Sequence, residues 1–101
     1  VDVNSTDSDL ISAVNYQPVS IAIEADSITF QLYRDGVFSS KCGTNLDHGV
    51  LLVGYGTDSR GENYWLVKNS WGPTWGDNGY VKMARNDGNM CGIATDPTWA
   101  Q

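Results

Sequence analysis

Basic residues are scarce in this 101-residue chain. Six lysines and arginines stand against twelve aspartates and glutamates, a formal charge of −6 with a pI near 4.3. A surface without a basic patch is a poor match for a phosphate backbone, which argues against nucleic-acid binding. An anionic membrane face would repel it as well. Long apolar runs are missing, and Val50–Val53 is far too short to span a bilayer. There is one histidine, and the two cysteines, Cys42 and Cys91, lie far apart. That set lacks the paired ligand spacing of a zinc site, so no metal is expected, and nothing points to a cofactor. The chain opens on Val1 without an initiator methionine or a signal peptide, which reads as a processing point or an expression boundary rather than a start of translation.

What is present favours a packed core. Hydrophobic residues make up 41% of the chain and charged residues 18%, a balance of folded rather than disordered chains. The length fits one small domain or a piece of one. Domains this small bury a lesser share of their surface and are marginal unless something staples them. Cys42 and Cys91 either form that staple or are two buried thiols. A disulfide closing this loop would contribute about 4 kcal/mol in the chain-entropy model and implies an oxidising compartment. The scattered acidic residues suit solubility in a mildly acidic compartment. Asn4-Ser5-Thr6 is an N-glycosylation sequon.

Cap-forming residues over Ser5–Asp9, followed by Leu10, Ile11 and Val14 at helical spacing, predict a helix from about Thr6 to Tyr16, ended by Pro18. Val19, Ile21 and Ile23 alternate with Ser20, Ala22 and Glu24, the period of a strand. Ser27–Tyr33 fits one helical turn, and Arg34-Asp35-Gly36 a turn. His48–Tyr55 is β-rich and almost wholly apolar, which predicts a strand buried on both faces. Further strands are expected at Tyr64–Asn69, Tyr80–Ala84 and Ile93–Thr95. The glycine- and tryptophan-rich loop Ser70–Gly79 lies between two of them, and Asn86-Asp87-Gly88-Asn89 is a turn. The sum is an α+β fold: an antiparallel sheet with one short helix packed on it, and no repeat, low-complexity stretch or linker.

Three blocks surround the chemistry. Asp47-His48-Gly49-Val50-Leu51-Leu52-Val53-Gly54-Tyr55-Gly56 sets the only histidine at the start of a strand. Tyr64-Trp65-Leu66-Val67-Lys68-Asn69-Ser70-Trp71-Gly72 and Trp75-Gly76-Asp77-Asn78-Gly79-Tyr80 follow. These resemble the histidine, asparagine and tryptophan-loop motifs of the papain-like cysteine peptidases, of the cathepsin L and plant papain type. Gln17-Pro18-Val19-Ser20, Phe30-Gln31-Leu32-Tyr33 and Cys91-Gly92-Ile93-Ala94 extend the resemblance, in order, over nearly the whole chain.

The resemblance implies a Cys-His-Asn mechanism. An imidazole draws the proton from a thiol and returns it to the leaving amine, while an asparagine oxygen holds the ring in one tautomer. His48 fits the first role and Asn69 the second. Trp71 would shield their hydrogen bond and line the leaving-group side, Trp75 would be mainly structural, and Gly72, Gly76 and Gly79 would allow the loop its tight turns. Neither cysteine sits in a motif like that of the family's nucleophile. Cys42 and Cys91 match positions that pair with each other. The nucleophile and the oxyanion-hole glutamine are therefore expected on an N-terminal helical lobe outside this chain, and Gln17 and Gln31 are not that glutamine. Residues 1–101 would be the β-barrel-like C-terminal lobe of a two-lobed fold, inactive alone and with an apolar face exposed.

The same resemblance places Ala22 and Gly49 on the walls of the second substrate pocket and Asp96 at its base. Many relatives carry a small or apolar residue there, whereas a carboxylate can pair with a substrate arginine or lysine. The implied partners are the Cys-bearing segment, polypeptide substrates, and propeptide or cystatin-type inhibitors, in a lysosome, vacuole or secreted setting. The competing reading is a catalytically dead homologue used for binding or structure; an isolated fragment or autolysis product is a third. An exopeptidase is less favoured, since no cleft-blocking insertion is present.

Overall fold

The computed structural model describes residues 7–25, 28–39, 48–85 and 98–99. Helix α1 runs Asp7–Val14. It buries Leu10 and Ala13 and lays Ile11 and Val14 against the same core, packing on strands β1 (Val19–Ile23) and β3 (His48–Thr57). Its end is marked by shortened turns, Tyr16 N–H donating to the Ala13 carbonyl at 3.0 Å, before Pro18 removes the next donor. In β1 the alternation holds as read: Val19, Ile21 and Ile23 are buried, and Ser20 is exposed. The expected helical turn is α2, Ile28–Gln31.

Strands β2 (Val37–Phe38), β4 (Asn63–Lys68), β5 (Tyr80–Ala84) and β6 (Thr98–Trp99) complete one sheet in the order β2-β5-β4-β3-β1-β6. The α+β reading holds, with two departures. The sheet is mixed, because β2 runs parallel to β5 while the other pairs are antiparallel. It is also open, with β2 and β6 at its edges, so barrel-like describes its curl only loosely. Neither two-residue edge strand was expected, since such strands carry no period to detect. The expected strand Ile93–Thr95 and the turn Asn86–Asn89 lie outside the described residues.

Strand β3 corrects its expectation. Val50 and Leu52 are buried, but Leu51 and Val53 are only half-buried, so one face meets the core rather than both. A bulge between Leu52 and Gly54 shifts the register with β4, so Leu52 faces Val67 but Tyr55 faces Trp65. One extra residue reverses which parity of the strand points inward.

At one end of the sheet the core turns aromatic. Phe30, fully buried, packs edge-on to Phe38 at 5.4 Å between ring centroids and against Trp75 at 5.2 Å. The Tyr33 hydroxyl donates to the Gly36 carbonyl at 2.6 Å and accepts from the Lys82 N–H at 3.3 Å, tying the turn before β2 to β5. Burial pushes the Tyr33 phenol above its ordinary range, and the charges of Asp77 and Asp35 push the same way.

Candidate active site

His48 opens β3 and Asn69 is the first residue past β4. The two strands are antiparallel, so the start of one and the end of the other fall at the same end of the sheet. Side-chain parity then aims both inward. Trp65, Val67 and Asn69 alternate onto the buried face, and His48 shares the parity of Val50 and Leu52. The two residues meet at 2.6 Å, His48 Nε2 against Asn69 Oδ1.

A second contact fixes the direction of that bond. The Ser70 main-chain N–H also meets Asn69 Oδ1, at 2.7 Å. A peptide N–H only donates, so the shared atom is the amide oxygen, and an oxygen only accepts. His48 Nε2 therefore carries a hydrogen and donates it. In the neutral ring the other nitrogen, Nδ1, is left as a bare acceptor. Asn69 is the buried polar side chain among the described residues, 5% exposed, and its Nδ2 is enclosed without a partner. Its main-chain N–H donates to the Gly79 carbonyl at 2.9 Å, which anchors the strand end to the far side of the tryptophan loop.

Trp71 lies over the pair. Its ring stacks on His48 at 5.0 Å and 29°, with 39% of the residue still exposed. One side of the imidazole is thus covered by indole. Phe30 and Trp75 hold Trp71 edge-on at 5.7 and 5.3 Å, and Trp75 Nε1–H donates to the Gln31 carbonyl at 3.0 Å. Trp75 thereby ties the loop to α2. The loop's backbone needs its glycines. At Gly76, φ is 59°, and a Cβ would lie 2.8 Å from the Tyr80 carbonyl oxygen.

Beside the pair is an open cleft of about 450 Å³ lined by Gly49, Leu51, Lys68, Asn69 and Ser70 among others. Ala22 and Gly49 face each other across the β1–β3 register. Cys42, Cys91, Asn4 and Asp96 lie outside the described residues. Two contributors escaped the sequence reading. Phe30 supports Trp71, and only its place in the Phe30-Gln31-Leu32-Tyr33 block hinted at it. The Ser70 N–H is a main-chain group, which no side-chain motif can announce.

An imidazole hydrogen-bonded to a buried amide under an indole resembles the histidine–asparagine part of a Cys-His-Asn hydrolase site. The comparisons with known proteins show the family. The model of the papain family cysteine proteases matches residues 1–101, and the chain belongs to that family. It is 61% identical over 88 residues to the oryzain beta chain of Oryza sativa subsp. japonica, covering 84% of this chain and 19% of that one. It is 65% identical over 80 residues to cathepsin L of Sarcophaga peregrina, covering 77% and 24%. Among solved structures it matches the proform of the ragweed pollen cysteine protease Amb a 11 with a TM-score of 0.94 at 39% identity, over 98% of this chain and 31% of that one. It matches the bromelain protease of Ananas comosus, in complex with the E64 inhibitor, with a TM-score of 0.88 at 45% identity, over 98% and 49%. The chain thus spans less than a quarter of either curated relative and less than half of either solved chain.

Proposed function

We propose that this chain is the histidine- and asparagine-bearing lobe of a cysteine endopeptidase, and that it acts on polypeptides once joined to a segment that supplies the nucleophilic cysteine. The observation that carries the reading is the 2.6 Å bond from His48 to the buried Asn69 oxygen, roofed by Trp71. Nδ1 of His48 takes the thiol proton, and the resulting imidazolium is held by the amide oxygen. The thiolate attacks the scissile carbonyl, and Nδ1–H then protonates the leaving amine. Water, activated by the same nitrogen, releases the acyl group.

Trp71 keeps water from the pair and borders the leaving-group side. Ala22 and Gly49 line the second substrate pocket, with Asp96 at its base. Cys42 and Cys91 form a structural disulfide rather than a nucleophile. The setting is a mildly acidic, oxidising compartment, lysosomal, vacuolar or secreted, where a propeptide or a cystatin-type inhibitor would occupy the cleft.

The test is a thiol-directed active-site label applied to the chain assembled with its cysteine-bearing segment. The label is expected on that segment, and His48→Ala lowers kcat by about 10²–10⁴-fold. An assembled protein that takes no label and cleaves no peptide would instead favour the catalytically dead homologue.

A further inference from the structure

We propose that the main-chain N–H of Ser70 is a positioning group: it decides which end of the Asn69 amide faces His48, and so which ring nitrogen is left bare to act as base. The inference rests on the peptidase reading above and deepens it.

An amide and a neutral imidazole can pair in two ways. The amide oxygen can accept from Nε2–H, or the amide NH₂ can donate to a bare Nε2. The two arrangements have nearly the same shape, and each makes one hydrogen bond. They leave opposite tautomers. The first frees Nδ1 to accept a proton. The second puts a proton on Nδ1, the nitrogen that must take one from sulfur, because Nε2 is engaged by Asn69. The His48–Asn69 pair alone does not choose between them.

Ser70 breaks the tie. Its N–H lies 2.7 Å from the Asn69 oxygen. With the amide turned over, the NH₂ would meet that N–H donor to donor. The other end of the amide offers no counterweight, since Nδ2 is enclosed with no partner among the described residues. Among the described residues, the hydrogen bonding of this buried side chain falls on one atom, which accepts from His48 and from Ser70. The clamp is also local. Asn69 is pinned through its own N–H to the Gly79 carbonyl, Ser70 is the next residue, and the one after is the Trp71 that covers the ring.

The test replaces Ser70 by its α-hydroxy acid in the assembled enzyme, so that the Asn69–Ser70 amide becomes an ester without the N–H. A hydrogen bond of this kind sets a loss of about five- to tenfold in kcat, with KM little changed. The same ester at Ser59, in the β3–β4 turn, controls for the chemistry of the linkage. The discriminating arm repeats the Ser70 ester in an Asn69→Asp background. A carboxylate has two equivalent oxygens and no wrong end, so the ester then costs less than about twofold. A bond that merely braced the loop would cost the same in both backgrounds. Equal costs, or an unchanged kcat in an enzyme that still takes the thiol label, overturn this inference and leave the peptidase reading standing. An assembled enzyme that takes no label overturns both.

Discussion

At Asn69 a single buried oxygen accepts from two donors, while its amide NH₂ finds no acceptor among the described residues. Such one-sidedness is costly in a core residue, and its return is a fixed imidazole tautomer. Tyr33 shows a purely structural use of a buried polar tip, bridging the Gly36 carbonyl and the Lys82 N–H. Tyr33→Phe is expected to destabilise the protein by about 1 kcal/mol at neutral pH. Because the folded phenol titrates above 10.0, the unfolded chain loses its proton first. The stability it contributes is whole below the unfolded value and is lost as pH rises through the folded one. Denaturant titrations of both forms from about pH 8 to pH 11 should therefore show the gap closing only at the alkaline end. At the proposed pocket base, kcat/KM for arginine relative to leucine at the second substrate position should climb as pH rises through the carboxylate range near 4. An identical ratio in Asp96→Ala at every pH would remove Asp96 from the pocket.

The tryptophan loop works as an element because its ends are tied together. Asn69 N–H reaches the Gly79 carbonyl, and Gly79 N–H reaches the Trp75 carbonyl at 2.8 Å. Inside that frame Gly76 holds a left-handed backbone against the Tyr80 carbonyl and the Tyr33 ring, 3.2 Å from where a Cβ would stand. Gly76→Ala is expected to cost about 1–3 kcal/mol in thermal or denaturant unfolding. It should also lower kcat, since Trp75 and Trp71 are carried by the same turns. A substitution neutral in both would mean the loop tolerates a changed path. Strands β1, β4 and β5 could be read directly because their alternation or apolar content is strong. The bulge in β3 could not, because Val50–Val53 is apolar at every position and conceals which residues face inward.

For the molecule as a whole, the sheet buries one face well, while Leu51, Leu66 and Val53 stay half-covered on or near the other. Ile28 and Leu32 are mostly exposed, 72% and 71%, on the flank of α2. Exposed apolar surface of this kind fits a lobe that packs against another. The chain produced alone is expected to cleave no peptide substrate. Mixing or coexpressing it with the cysteine-bearing segment should restore hydrolysis together with thiol labelling. Activity from the isolated chain, measured after removal of contaminating protease, would refute the division of the site between two lobes.

The sequence by itself determined the chemical cast and the family: one histidine at a strand start, one asparagine at a strand end and tryptophans between glycines. These are local patterns, and local patterns survive translation into text. Only the tertiary structure decided that His48 and Asn69 stand 2.6 Å apart, that the amide presents its oxygen, and that Phe30 backs Trp71. Those facts depend on strand pairing, on side-chain parity and on one main-chain N–H. They join residues distant in the chain through groups that every residue shares, and no residue-type pattern can encode them.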